Sequence, residues 1–250
     1  MTAPIIPGAE PESIDGGPHG ALVLHGFTGN PGSMKGLAHA LADAGFAVEL
    51  PLLPGHGTVV DDMLDTRWAD WSQEAEAALE RLQARVTGKV IVAGLSMGGS
   101  LTAWLGTRHP ELAGLVFVNA AVSIPDGMRD LVEAAIANGD EVMDGIGSDI
   151  ADPDSHELAY PQTPLRPLLS LIDAEGETRP KLANITCPSL IITSRQDHVV
   201  PPENSDILAA EVGGPVERVF LERSYHVATQ DYDKDEIFTR TVEFARRVTT

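Results

Sequence analysis

A chain of 250 residues can bury one large core, and 43% apolar with 22% charged residues is the profile of a globular protein, not of a disordered or fibrous one. Acidic side chains outnumber basic ones 37 to 17, and the net charge of -20 repels the phosphate backbone of nucleic acid and disfavours docking on anionic lipid. Cys187 is the single cysteine, which excludes a disulfide within the chain and a cysteine-based metal cluster.

The start of the chain is punctuated by Pro4, Pro7, Gly8 and Pro11 and has no apolar run of signal-peptide length. No later run reaches membrane-spanning length, so a cytoplasmic protein without stable membrane insertion is expected. The first clear strand is expected over 21–24, followed by His25-Gly26-Phe27-Thr28-Gly29. A helix then starts with Asn30 as cap and Pro31 as its first residue, lines one face with Met34, Leu37, Ala38 and Leu41, and stops at Gly45. After a strand over 46–50 comes Pro54-Gly55-His56-Gly57, in which His56 either contacts substrate or shapes the loop. The next helix sets Trp68, Trp71, Ala75, Ala78, Leu79 and Leu82 on one stripe, with the tryptophans as packing anchors.

Further strands are expected over 89–93, 115–118, 190–193 and 216–221, with helices between most of them and a closing helix over 233–248. This rhythm indicates an α/β fold with a mostly parallel sheet covered on both faces. The chain reads as one domain, 1–250, interrupted at about 124–182 by a stretch too long for an ordinary connection and expected to form a small cap. Its two amphipathic stripes, Met128, Leu131, Val132, Ala135 and Ile136, then Leu165, Leu168, Leu169 and Ile172, either pack on the body or line an acyl pocket.

Gly94-Leu95-Ser96-Met97-Gly98 lies between the strand over 89–93 and a helix from 97 to about 109, the setting of a nucleophile elbow. A serine hydroxyl needs a base to take its proton and an acid to hold that base in the right tautomer. In the order Ser, acid, His, the loop after the last strand offers His226, and the loop after the strand over 190–193 offers Asp197. His198 adjoins Asp197 and is set aside as the base, while Asp206, Asp231 and Asp233 fall on helices or at a helix start. Backbone amides of Phe27 and Met97 are the expected oxyanion hole. His25 is a candidate contact to substrate, although a structural hydrogen-bonding role fits it better. No H-E-x-x-H pair and no phosphate loop occur, and the chemistry calls for no cofactor and no metal.

Read together, these motifs resemble those of the bacterial monoacylglycerol lipases and related small carboxylesterases of the α/β-hydrolase superfamily. The resemblance spans nearly the whole chain and includes Ile146-Gly147-Ser148-Asp149, Glu157-Leu158-Ala159-Tyr160 and Ser224-Tyr225-His226-Val227-Ala228-Thr229. It implies a small lipid ester as substrate, cleaved through an acyl-enzyme, with Glu157 meeting the glycerol hydroxyls and Ile146 narrowing the alcohol side of the pocket. The rival expectations are a broad short-chain carboxylesterase or thioesterase using the same triad, and a non-catalytic ligand-binding hydrolase fold. Oligomeric state is not legible.

Overall fold

The computed structural model describes residues 3–145 and 147–250. Its centre is a seven-stranded sheet of β1 (Glu12–Ile14), β2 (Gly20–Leu24), β3 (Ala47–Leu50), β4 (Val90–Leu95), β5 (Gly114–Val118), β8 (Ser189–Ser194) and β9 (Val216–Leu221). The order is β1-β3-β2-β4-β5-β8-β9, parallel throughout except for β1, which pairs antiparallel with β3. β1 is absent from the sequence-based expectation because only Ile14 of its residues is apolar. Its Ser13 hydroxyl donates to Glu49 Oε1 at 2.8 Å, and Arg85 meets the same buried carboxylate at 3.0 Å.

Strand side chains alternate between two cores, as a period of two demands. Leu22, Leu24, Val92 and Phe117 point to one face, where α3 (Trp68–Arg85) and α4 (Met97–Gly106) cover them. Ala21, Val23, Ile91 and Val118 point to the other, under α1 (Lys35–Asp43) and α8 (Lys234–Thr249). The stripe on α3 buries Trp71, Ala75, Ala78, Leu79 and Leu82, whereas Trp68 is half-buried against Trp104. Asn30 caps a 3-10 turn, Pro31–Ser33, and not α1 itself, which follows directly. Gly45 ends the α1 segment at φ 96°, a conformation that side-chain-bearing residues rarely adopt. The short helix α2 (Val60–Met63) leads into α3, and α7 (Glu203–Glu211) joins β8 to β9.

Between β5 and β8 the chain leaves the sheet and builds α5 (Met128–Ala137), β6 (Val142–Asp144), β7 (Gln162–Pro164) and α6 (Leu165–Thr178). β6 and β7 pair antiparallel as a separate two-stranded sheet. Val132, Leu165 and Ile172 form a small core of this insertion, with Ala135, Ile136 and Leu169 packed on it. Met128 and Leu131 face a cavity over the main sheet, and Leu168 and Ile172 touch both that cavity and the small core, so both expected roles are realised. Among the described residues, no helix is long and apolar enough to cross a membrane.

The start of α4 lies so close to β2 that a methyl group on Gly98 would collide with the backbone of Leu24 and His25. Gly98→Ala is therefore expected to destabilise by about 1–3 kcal/mol through overpacking against backbone that cannot yield. Gly45→Ala, where the added methyl meets nothing within 4 Å, should cost about 1 kcal/mol from backbone strain alone. Urea denaturation of both variants checks the ranking, and an equal or smaller loss for Gly98→Ala would refute the close-approach argument.

Candidate active site

Ser96 stands between β4 and α4 at φ 57°, ψ −120°. Such a conformation costs on the order of 1–3 kcal/mol and persists only when its surroundings enforce it. Here Ser96 N–H donates to Val118 O at 3.1 Å, while Ser96 O accepts from Gly99 N at 2.8 Å, Ser100 N at 3.2 Å and Ala121 N at 3.3 Å. The turn leaves Ser96 as the one incompletely buried residue between Val90 and Leu105 apart from Trp104. Gly99 gives room to Ala120 just beyond β5.

The loop after β2 runs against this elbow. A Cβ on Gly26 would sit 3.3 Å from Ser96 Cβ, so the main chain here is in van der Waals contact with the serine. Among the described residues, the amides of Phe27 and Met97 donate no hydrogen bond. Met97 is also the first residue of α4, where the helix dipole adds partial positive charge. The Phe27 ring rests edge-on against Trp71, centroids 5.6 Å apart, and Trp71 is fully buried with its indole N–H on Pro54 O at 3.1 Å. The tryptophan expected as a packing anchor thus supports the loop that carries the Phe27 amide.

Beyond β8 and β9 the structure brings Asp197 and His226 together. His226 Nδ1 donates to Asp197 Oδ2 at 2.8 Å, with the two side chains 8% and 1% exposed. Because the carboxylate only accepts, the ring proton sits on Nδ1 and Nε2 is left with its lone pair. Asp197 Oδ1 accepts the amides of Val199 and Val200, both at 2.8 Å, which fixes the carboxylate plane. The alternatives have other partners: Asp206 pairs with Arg218, Asp233 with Arg223, and Asp231 with backbone amides. His198 turns away from Asp197 to Asp149, at 2.8 Å.

Sequence reasoning missed the residues that hold the histidine loop. Asn119, at φ 45° just past β5, donates to His226 O at 2.8 Å and accepts Ser194 N at 2.7 Å. Ser194 Oγ in turn donates to Tyr225 O at 2.8 Å. Asp149 in the insertion accepts His226 N at 3.0 Å, and its carbonyl accepts Val227 N at 3.1 Å. Asp231 Oδ2 accepts both Tyr225 N and Ala151 N at 2.8 Å. The position of Asn119 at the carboxyl end of β5, beside the strand that leads into Ser96, was the available signal.

A cavity of about 290 Å³ joins Ser96 and His226, walled mainly by apolar side chains such as Ile124, Leu171 and Val200. Glu157 lines it, with Oε1 reaching the space that Gly29 leaves open. Burial pushes the Glu157 carboxyl up to about 7, with the nearby His226 ring acting in the opposite direction. Ile146 lies outside the described residues. His25 corrects the expectation of a substrate contact: it is fully buried, its Nδ1 donates to Gly26 O at 3.0 Å and its Nε2 accepts Leu53 N at 3.1 Å. Both ring nitrogens are therefore spent on backbone, and burial holds the ring neutral, its pKa down at about 3. His56 packs edge-on against His25 and Trp71 and likewise stays off the cavity wall. Among the described residues, no group of three or more His, Cys, Asp or Glu side chains could hold a metal ion.

Residues 18–233 match the Hydrolase_4 family, described as serine aminopeptidase, S33. The chain is 45% identical to the thermostable monoacylglycerol lipase of Bacillus sp. (strain H-257), with 96% of each chain covered. It is 26% identical to a carboxylesterase of Bacillus subtilis (strain 168), over 96% of this chain and 97% of the other. A solved structure from the metagenome-derived lipolytic enzymes LipS and LipT superposes with a TM-score of 0.94 at 41% identity, covering 98% of this chain and 100% of that one. The monoacylglycerol lipase of Paleococcus ferrophilus shares the fold, with a TM-score of 0.79 at 18% identity over 95% of this chain and 98% of its own. By the family match, the near full-length relative and the architecture, the chain belongs to the Hydrolase_4 family of α/β-hydrolases.

Proposed function

We propose that the protein hydrolyses monoacylglycerols to a fatty acid and glycerol, with Ser96 as nucleophile, His226 as general base and Asp197 as its orienting acid. The observation that carries the reading is the placement of Glu157: a carboxyl group on the wall of a mainly apolar cavity that it shares with Ser96 and His226. The monoacylglycerol lipase relative at 45% identity supports the same substrate class.

Ser96 Oγ attacks the ester carbonyl while His226 Nε2 takes the hydroxyl proton. The amides of Phe27 and Met97 receive the oxyanion beside a mainly apolar cavity wall, where such donors act more strongly than in water. The same imidazolium then protonates the departing glycerol oxygen. Water, deprotonated by His226, attacks the acyl-enzyme, and collapse of the second tetrahedral intermediate returns the proton to Ser96. Asp197 stays ionised throughout and stabilises the charged ring. Glu157 accepts hydrogen bonds from the glycerol diol, a partner that an ethyl ester lacks.

Release of fatty acid from octanoylglycerol, its di- and triacyl counterparts and ethyl octanoate tests this. Ser96→Ala should lose at least a thousandfold in kcat/KM on every ester, and Glu157→Ala should lose about tenfold or more on the monoglyceride while sparing the ethyl ester. A wild type that cleaves monoglyceride and ethyl ester equally would leave a general carboxylesterase. The pH dependence has a definite sign. The wild-type preference for glyceryl over ethyl ester should rise as the pH passes through about 7 and Glu157 becomes a full acceptor, and it should be flat in Glu157→Gln.

Asn119→Ala should remove the partner of Ser194 N and of His226 O, lowering stability by about 1–3 kcal/mol. Its activity should fall in kcat with little change in KM, because the substrate cavity is untouched. Steady-state kinetics with thermal melts separates the two effects, and unchanged kcat would remove Asn119 from the positioning of the histidine.

A further inference from the structure

Glu157 is not the only carboxyl group on the cavity wall. Glu175, on α6, also lines it, is 4% exposed, and sits on the buried stripe that runs through Leu165, Leu168 and Ile172. Its neighbours differ from those of Glu157. Ser100 Oγ lies 3.2 Å from Glu175 Oε1 and 2.6 Å from Ala121 O, whereas Glu157 lies by Gly29 and has its backbone N–H on Ser148.

The Ser100 hydroxyl has one proton and two neighbours. Ala121 O can only accept, and its contact is the shorter, so the proton goes there. The remaining contact is then a hydrogen bond only if Glu175 carries its own proton and donates Oε1–H to Ser100 Oγ. Burial acts the same way and pushes the carboxyl up to about 8. Oε2 is left as a carbonyl-like acceptor without a partner among the described residues. The groups around the carboxyl are the Ser100 hydroxyl on α4, and Thr178 and Arg179 at the end of α6, with the guanidinium held by Glu211. The other ionisable groups that line the cavity are Glu157, Asp144, Asp149 and His226.

An unsatisfied acceptor in an apolar wall costs free energy that leucine in the same place would not. We propose that Glu175 is a polar specificity subsite on the acyl side of the cavity, a carboxylic acid whose Oε2 receives a hydroxyl carried on the acyl chain of the ester. The assignment to the acyl side rests on the lipase reading, in which Glu157 takes the glycerol. Ser100 lies in the first turn of α4, four residues after Ser96, so the carbon concerned lies partway along a medium-length chain. Oε2 is itself buried, and reaching it takes a small rotation of the carboxyl about its last bond, a broad torsion in glutamate, with Oε1 kept on Ser100 Oγ. Because Oε2 accepts, a hydroxyl fits and an oxo group does not.

The test compares kcat/KM on octanoylglycerol, a positional series of monohydroxyoctanoyl glycerols and the matching oxo esters. At neutral pH one hydroxy isomer should be favoured over its oxo counterpart by about tenfold. Glu175→Leu should abolish the preference. Glu175→Gln, whose amide N–H donates to Ser100 and whose carbonyl replaces Oε2, should keep it. Above about pH 8 the ionised carboxylate is the stronger acceptor, so the wild-type preference should rise while that of Glu175→Gln stays flat, a comparison that stands even if the leucine variant fails to fold. Equal hydroxy and oxo rates in the wild type, or a preference unchanged in Glu175→Leu, would reduce Glu175 to a tie between α6 and α4. Turnover of none of the esters would overturn the lipase reading and this subsite with it.

Discussion

One backbone conformation governs the site: Ser96 at φ 57°, ψ −120°. A side chain lifted out of the sheet edge by that turn is available to substrate, and no relaxed conformation at the strand-to-helix junction would present it so. The strain is tolerable because the elbow is gripped from both sides, by Val118 O on the serine amide and by the amides of Gly99, Ser100 and Ala121 on its carbonyl. The glycines follow from the same constraint. Gly98 lets the first turn of α4 meet Leu24, Gly94 lets β4 pass under Gly98, and Gly26 lets the loop after β2 lie against the serine. Strand order does the rest, since β4 has β2 on one side and β5 on the other, and those neighbours deliver Phe27 and Asn119 to the same edge.

The histidine loop has no such elbow and is held instead by side chains that bond its backbone. Asn119 and Ser194 hold it from the sheet, and Asp149 and Asp231 tie it to the insertion. The stretch 149–152 is therefore part of the framework that positions His226. On the α5 side, Leu131 and Met128 reach both the cavity and solvent. The insertion thus combines a fixed base with an exposed apolar rim.

The parts of the molecule written as periodicity or as a local motif were legible in the sequence. The two faces of the sheet, the stripe on α3, and the elbow around Ser96 all follow from spacing that physics restricts to one local structure. β1 was not legible, because its three residues are made a strand by pairing with β3 and by the Ser13–Glu49 hydrogen bond. Asn119, Asp149 and Asp231 act through polar contacts between segments far apart in the chain, and no pattern within a window reports those. Glu175 is a different case. It stands three residues after Ile172 on an apolar stripe, so its burial was foreseeable, and a charged residue on a buried face was the signal to follow.

Glu157 and Glu175 also show what the cavity costs. Each carboxyl has its folded value raised above the ordinary 4.5, so between that value and about 7 or about 8 the folded chain retains a proton that the unfolded chain has released. Stability contributed at these sites is full below 4.5 and is lost as the pH rises through the window, the reverse of an ion-paired aspartate. The 20 net negative charges on the chain add to the penalty as the pH rises, since every further ionisation works against a field of its own sign. Folding alone would favour apolar side chains at both positions. Two acids kept in a mainly apolar chamber with Ser96 and His226 thus work against the stability of the fold as the pH rises, and the neutral form of each is the one the folded chain can hold most cheaply.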